Sequence, residues 1–188
     1  IDTQHALVRV AAPGAAPETL GQSVYGPLSL SDDGRVAAYT RGDPPFLEVV
    51  HHTLATGQTV AVAPGVAPAW CPALSPDGRE IVFVATTEGR PRWWRGVVGE
   101  RVGVWEAVSA DAPFATGPSA PRVYGDALVF ENEAGVHSLG LDGTLRRTLP
   151  GLHNPVMPPR GAQVLATRSA TDLQLTRIDV ALRTGAPR

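Results

Sequence analysis

Lysine is absent from this chain, and all sixteen of its basic residues are arginine. A GC-rich coding bias explains the skew, with a surface tuned for bidentate anion recognition as the lesser alternative. With 18% charged residues and a formal net charge of -2, no basic excess exists to neutralise phosphates, which argues against nucleic-acid or anionic-membrane binding. A single cysteine, Cys71, excludes an internal disulfide and a cysteine-based zinc site. No apolar run approaches the roughly 18 residues of a membrane span. The chain opens on Ile1 with neither an initiator methionine nor a signal-like segment, so it reads as a processed or trimmed product. No stretch of helical length combines a 3.6-residue period with freedom from glycine and proline.

What is abundant is turn chemistry. Twenty glycines and 18 prolines make up about a fifth of 188 residues, while apolar residues at 43% suffice for a core. Disorder is excluded on that balance, and many short strands joined by tight turns are expected. One stretch shows the pattern best. Pro72-Ala73-Leu74-Ser75 leads into Pro76-Asp77-Gly78, and after Arg79-Glu80 the run Ile81 to Val84 is apolar. Proline presets the first corner of a type I turn, aspartate suits the second, and glycine takes the left-handed position. Leu28-Ser29-Leu30-Ser31-Asp32-Asp33-Gly34-Arg35-Val36-Ala37-Ala38-Tyr39 repeats the unit.

The phase of the repeat is regular. Gly34 and Gly78 are 44 residues apart, Gly78 and Gly125 are 47, and Gly125 and Gly161 are 36. A period near 40 with four short strands per unit predicts an all-β fold, a β-propeller of about four blades built from four-stranded repeats, as a partial or open ring or a small closed one. A two-sheet sandwich could hold as many strands but would not need a hairpin at fixed phase. The predicted organisation is one domain, 1–188, with 1–23 a partial blade and 24–67, 68–113, 114–153 and 154–188 the repeats. Residues 5–21 read as the last two strands of a unit and 154–188 as a unit lacking its last. A small closed ring is therefore expected, in which Glu18 to Gly21 completes the fourth blade and Leu7 to Val10 is an extra strand.

Ala73-Leu74-Ser75-Pro76-Asp77-Gly78-Arg79-Glu80-Ile81-Val82-Phe83 resembles the TolB-type propeller repeat, an apolar strand, Ser-Pro-Asp-Gly, then an apolar strand ending in phenylalanine. Leu28 to Tyr39 matches with Asp32 in place of proline. Residues 119–130 keep the strands and a Gly-Asp turn, and 155–167 keep turn and strand alone. Such repeats occur in periplasmic TolB, in the propellers of prolyl-oligopeptidase-like peptidases, and in many bacterial surface or secreted proteins. The resemblance implies a structural role for Asp33 and Asp77, no cofactor, and a periplasmic or extracellular location.

Catalytic constellations are weak. No Gly-x-Ser-x-Gly is present, and Gly21-Gln22-Ser23-Val24-Tyr25-Gly26 has the wrong spacing for a nucleophile elbow. His51 and His52 are strand neighbours that point to opposite faces and cannot chelate one ion, so one is expected exposed and one packed. Glu131 and Glu133 share a face and are expected at a solvated edge. Trp93 and Trp94 are split by the same alternation, one entering the core and the other an exposed protein-contact candidate beside arginine. The predicted binding residues sit on loops of one propeller rim: Tyr25, Arg41, Asp43, Trp70, Glu88, Arg90, His153 and Asn154. The chain is thus expected to be a non-catalytic module that binds a protein partner or small ligand across that rim, with a homodimer among the partners considered. The alternative is the substrate-gating propeller of a larger prolyl-oligopeptidase-like hydrolase, and a lectin-like sugar binder ranks behind both.

Overall fold

A computed structural model describes residues 5–98, 101–104, 113, 115, 120–156, 163–168 and 175–179. Among these there is no helix, and the strands form four antiparallel sheets in which each strand pairs with its neighbours in sequence. The first sheet holds β1 (His5–Arg9), β2 (Glu18–Leu30), β3 (Val36–Arg41), β4 (Glu48–Thr53) and β5 (Gln58–Ala61). The second holds β6 (Ala69–Leu74), β7 (Glu80–Thr87), β8 (Arg90–Val97) and β9 (Arg101–Val104). The third holds β10 (Arg122–Tyr124), β11 (Ala127–Asn132), β12 (Gly135–Gly140) and β13 (Leu145–Pro150). The fourth holds β14 (Leu152–Val156), β15 (Gln163–Arg168) and β16 (Leu175–Asp179). Trp105 and the Arg160-Gly161 turn lie outside the described residues.

The Ser-x-Asp-Gly hairpins are closed by their own side chains. Ser75 Oγ donates to Asp77 Oδ1 at 2.6 Å and accepts the Glu80 N–H at 2.9 Å, while Asp77 Oδ1 accepts the Arg79 N–H at 3.1 Å. Ser31 and Asp33 repeat this, with Ser31 Oγ donating to Asp33 Oδ1 at 2.7 Å and Asp33 Oδ1 accepting the Arg35 N–H at 3.0 Å. These bonds hold both carboxyls below the ordinary aspartate range, chiefly the Arg35 N–H for Asp33 and the Ser75 hydroxyl for Asp77. The two hairpins also join neighbouring sheets. The Asp32 N–H donates to the Pro76 carbonyl at 2.8 Å, and a Cβ on Gly78 (φ 72°) would meet Ser31 Cβ at 3.2 Å.

Strand alternation packs each sheet on both sides. Ile81, Phe83 and Ala85 of β7 join Ala38, Val49, Ala69 and Leu74 between the first two sheets. Val82 and Val84 point the other way, joining Trp93, Leu128, Phe130 and Leu139 between the second and third. Val129, Val136, Leu152 and Ala166 fill the third interface. Burying an Ile or Phe side chain contributes roughly 1.5–3 kcal/mol, so these sandwiched rows hold the stack together. The tryptophan pair follows the same division, with one departure. Trp93 is buried against Phe130 (ring centroids 5.1 Å apart), but Trp94 is not freely exposed. It packs at the first interface against Phe83 and donates its indole N–H to Thr87 Oγ1 at 3.2 Å.

The N-terminal hairpin corrects the expected ring closure. β2 pairs with β1 through Glu18 to Val24 and with β3 through Val24 to Leu30, bending at Ser23 (φ 53°) and Gly26 (φ 71°). The bend lays β1 and the first half of β2 back over the outward face of the first sheet. Leu7 packs with Val24, Ala37, Tyr39 and Val50, and Gly21 lies so close to Tyr39 that a Cβ there would come within 2.9 Å of the phenol oxygen. Arg9 pairs with Glu18 at 2.7 Å and reaches the Leu54 carbonyl at 3.4 Å. Glu18 to Gly21 therefore pairs with β1 rather than completing the fourth blade, and β1, which carries Leu7, is an extra fifth strand on the first sheet. Among the described residues no strand pairing joins the fourth sheet to the first, and the arc is open.

Candidate binding rim

Strand register separates the two ends of every blade. The Asp-Gly hairpins, β2 to β3 and β6 to β7, close one end. The turns between β3 and β4, β7 and β8, and β11 and β12 close the other, where Val24 pairs with Arg41, Thr87 with Arg90 and Asn132 with Gly135. The candidate residues gather at this second end, though most stand at strand ends rather than in loops. Tyr25 is in β2, Arg41 ends β3, Trp70 is in β6, Arg90 opens β8, and His153 and Asn154 are in β14. Only Asp43 and Glu88 are turn residues, and the side chain of Asn154 lies outside the described residues.

Three of them occupy one repeated position. Tyr25 pairs with Thr40, Trp70 with Val84 and His153 with Thr167, and after each the register of the innermost strand slips. The bulge carries Gly26-Pro27, Cys71-Pro72 and Asn154-Pro155 respectively. Gly26 and Cys71 are both left-handed, with φ 71° and 52°. Proline lacks the N–H a regular ladder needs, which confines it to such bulges. The signal missed in sequence was this x-Pro pair one residue after the rim side chain. Ser119-Ala120-Pro121 repeats the spacing, with Ser119 outside the described residues.

The rim is a mixture of committed and available groups. Arg41 is held by Glu48, with Nε donating to Oε1 at 3.0 Å. Trp70 is half-buried against the core between the second and third sheets, and its indole N–H points at the Ala115 carbonyl at 3.4 Å. Glu88 (φ 52°) and Gly89 (φ 74°) form the two central positions of a type I′ turn, so Glu88 is placed by backbone geometry with its side chain exposed. Tyr25 is 47% exposed, Arg90 is exposed, and Phe46, which sequence reasoning did not single out, is 76% exposed beside the Asp43 turn.

Glu131 overturns the expected solvated edge. It is buried, 4% exposed, with its carboxylate 3.0 Å from His153 Nδ1 across the third and fourth sheets, whereas Glu133 is exposed. The two carboxylates are thus in opposite environments. His137, also buried, bonds Asn132 Oδ1 through Nε2 at 2.7 Å and Thr148 Oγ1 through Nδ1 at 3.1 Å, and burial lowers its pKa. Among the described residues no group of three or more His, Cys, Asp or Glu side chains could hold a metal ion. No helix of the described residues is long and apolar enough to cross a membrane.

No protein-family model and no curated protein matches the chain. Solved structures do. TolB from Acinetobacter baumannii superposes with a TM-score of 0.63 at 18% identity, covering 89% of this chain and 44% of that one. The TolB-assigned protein of Agrobacterium tumefaciens gives 0.52 at 18% identity, covering 93% and 57%. A prolyl endopeptidase gives 0.58 at 18% identity, covering 95% and 29%. The chain spans 29% to 57% of the lengths of these three proteins. At such identity what is shared is the fold, and the fold of this chain is a TolB-like β-propeller in an open arc.

Proposed function

We propose that the chain is a non-catalytic propeller module, exported from the cytoplasm, that binds a protein partner across the rim carrying Tyr25, Trp70 and His153. The observation that supports this is the repeated position itself. The innermost strands of the first, second and fourth sheets each carry a large side chain on the same rim just before a proline bulge. A recurring site on adjacent blades suits an extended contact, and an exposed aromatic with arginine nearby has the composition of interface hot spots. Arg41, Asp43, Glu88 and Arg90 supply the polar border. The test is capture of the native partner by the full chain, followed by the double variant Tyr25→Ala, Arg90→Ala. Loss of capture with an unchanged melting temperature supports the rim, and undiminished capture refutes it.

The gating domain of a hydrolase is the second reading, favoured by the likeness to a prolyl endopeptidase over 95% of this chain. It requires that the encoding frame continue into a segment with Gly-x-Ser-x-Gly. Peptide turnover by the native gene product, lost on substitution of that serine, would establish it.

A further inference from the structure

His52 is 1% exposed, unusual for a titratable side chain, and lies on the face of the first sheet against which the N-terminal hairpin packs. Ala37 is its partner on β3 and Thr59 on β5, so it shares the outward face of the first sheet with Tyr39 and Val50. The hairpin touches this face on both sides of it. Leu7 and Gly21 lie against Tyr39, and Arg9 reaches over to the carbonyl of Leu54. Nδ1 of His52 stands 3.3 Å from the Tyr39 hydroxyl, while Nε2 is buried with no hydrogen-bond partner among the described residues. A buried unpaired imidazole nitrogen is tolerable while it is neutral. Once protonated it becomes a buried N–H⁺ with nothing to accept it, and a charge without a partner demands water.

The ionisable groups on the surrounding elements do not offer one. On β1 they are Arg9 and, at the far end, His5; on β2, Glu18, whose carboxylate is taken by Arg9; on β3, the Tyr39 phenol and the terminal Arg41, held by Glu48. β5 carries only Gln58 and Thr59 as polar residues, and His51 points to the opposite face, toward the Gly78 backbone. Water can reach His52 most directly by displacement of the hairpin. The hairpin is the cheapest part to displace, since only one apolar side and the long Arg9 to Leu54 carbonyl contact hold it down, whereas the sheet beneath is packed on its other face by Phe83 and Ala69.

We propose that His52 is a proton-operated latch: neutral, it lets β1 and the first half of β2 lie on the first sheet, and protonated, it lifts them off. The remaining sheets stay folded. The lowering of the His52 pKa by burial agrees with this direction. Opening would uncover Tyr39 and Val50 and free the strand that leads directly into Tyr25.

Segment-resolved amide hydrogen exchange on the full chain, corrected for intrinsic chemical exchange, tests this between about pH 7.5 and about pH 5. Amides of residues 5–9 and 18–24 should open progressively more as pH falls below the ordinary histidine value, by up to about tenfold per pH unit for one proton. The β6 to β8 amides, which open only with the whole molecule, should stay far slower than the hairpin amides at every pH. His52→Gln keeps a partner for Tyr39 without titrating and should flatten the dependence, while His51→Gln should retain it. Should His52→Gln fail to fold, His52→Phe fills the site without a titrating group and takes its place. An unaltered slope in the His52 variant overturns the latch, as does hairpin exchange no faster than that of the β6 to β8 amides.

Discussion

Gly34 and Gly78 occupy the same turn position with φ 65° and 72°, yet their surroundings differ. A Cβ at Gly34 would meet nothing within 4 Å, whereas at Gly78 it would press on Ser31 and Val36 of the neighbouring sheet. Gly34→Ala should therefore cost only the left-handed penalty, about 1–2 kcal/mol, and Gly78→Ala more, with urea denaturation midpoints reporting the difference. Cys71 provides a second residue-scale test. Burial pushes its thiol up to about 12, so it should resist a thiol-specific reagent at neutral pH in the native protein and react promptly once the chain is unfolded. The turn chemistry behind the glycines was legible in sequence, because a hairpin is specified by four adjacent residues. The asymmetry between them was not, because it comes from a contact 40-odd residues distant.

The innermost strands show the same division at the scale of the element. Their existence followed from apolar runs before each turn, and in β8 the same alternation put one tryptophan of the 93/94 pair in the core without deciding which. Where Trp94 and Trp70 would end up depended on a neighbouring sheet that no local pattern describes. Trp70→Ala removes a half-buried indole from the core between the second and third sheets, so it should lower stability by about 2 kcal/mol as well as any affinity. Tyr25→Ala, at 47% exposure in the equivalent position, should leave the melting temperature nearly unchanged. Comparing the two by calorimetry and by partner capture separates packing from recognition within one repeated site. Glu131 belongs here too. A carboxylate near a strand end looks solvent-facing in sequence, and it is the arrival of β14 with His153 that buries it.

For the molecule as a whole, acid sensitivity is the expected bulk property. Burial lowers the pKa values of His51, His52 and His137 from 6.5 in the folded state. As pH falls through that value the unfolded chain takes up protons that the folded chain does not, so stability is full above it and declines below it. The lowered carboxyls of Asp33, Asp77, Asp126 and Asp142 add a further loss only below their ordinary value of 3.8. Melting temperatures taken across neutral to mildly acidic pH should fall, and substituting His137 by Gln should shrink the fall; a flat profile would contradict the assignment.

The sequence by itself determined the rhythm of this protein: strands of alternating pattern, turns closed by serine, aspartate and glycine, and a period that makes each unit a blade. Those are local matters, decided within a dozen residues by backbone geometry and side-chain hydrogen bonds. Tertiary structure alone decided where the N-terminal strands went. Their composition suits an outer pair of a blade anywhere in the arc, and the choice fell to Leu7, Gly21 and Arg9 finding the face of Tyr39 and Leu54. Nearness along the chain makes that docking entropically cheaper than closure onto the fourth sheet, and the apolar surface it buries maintains it.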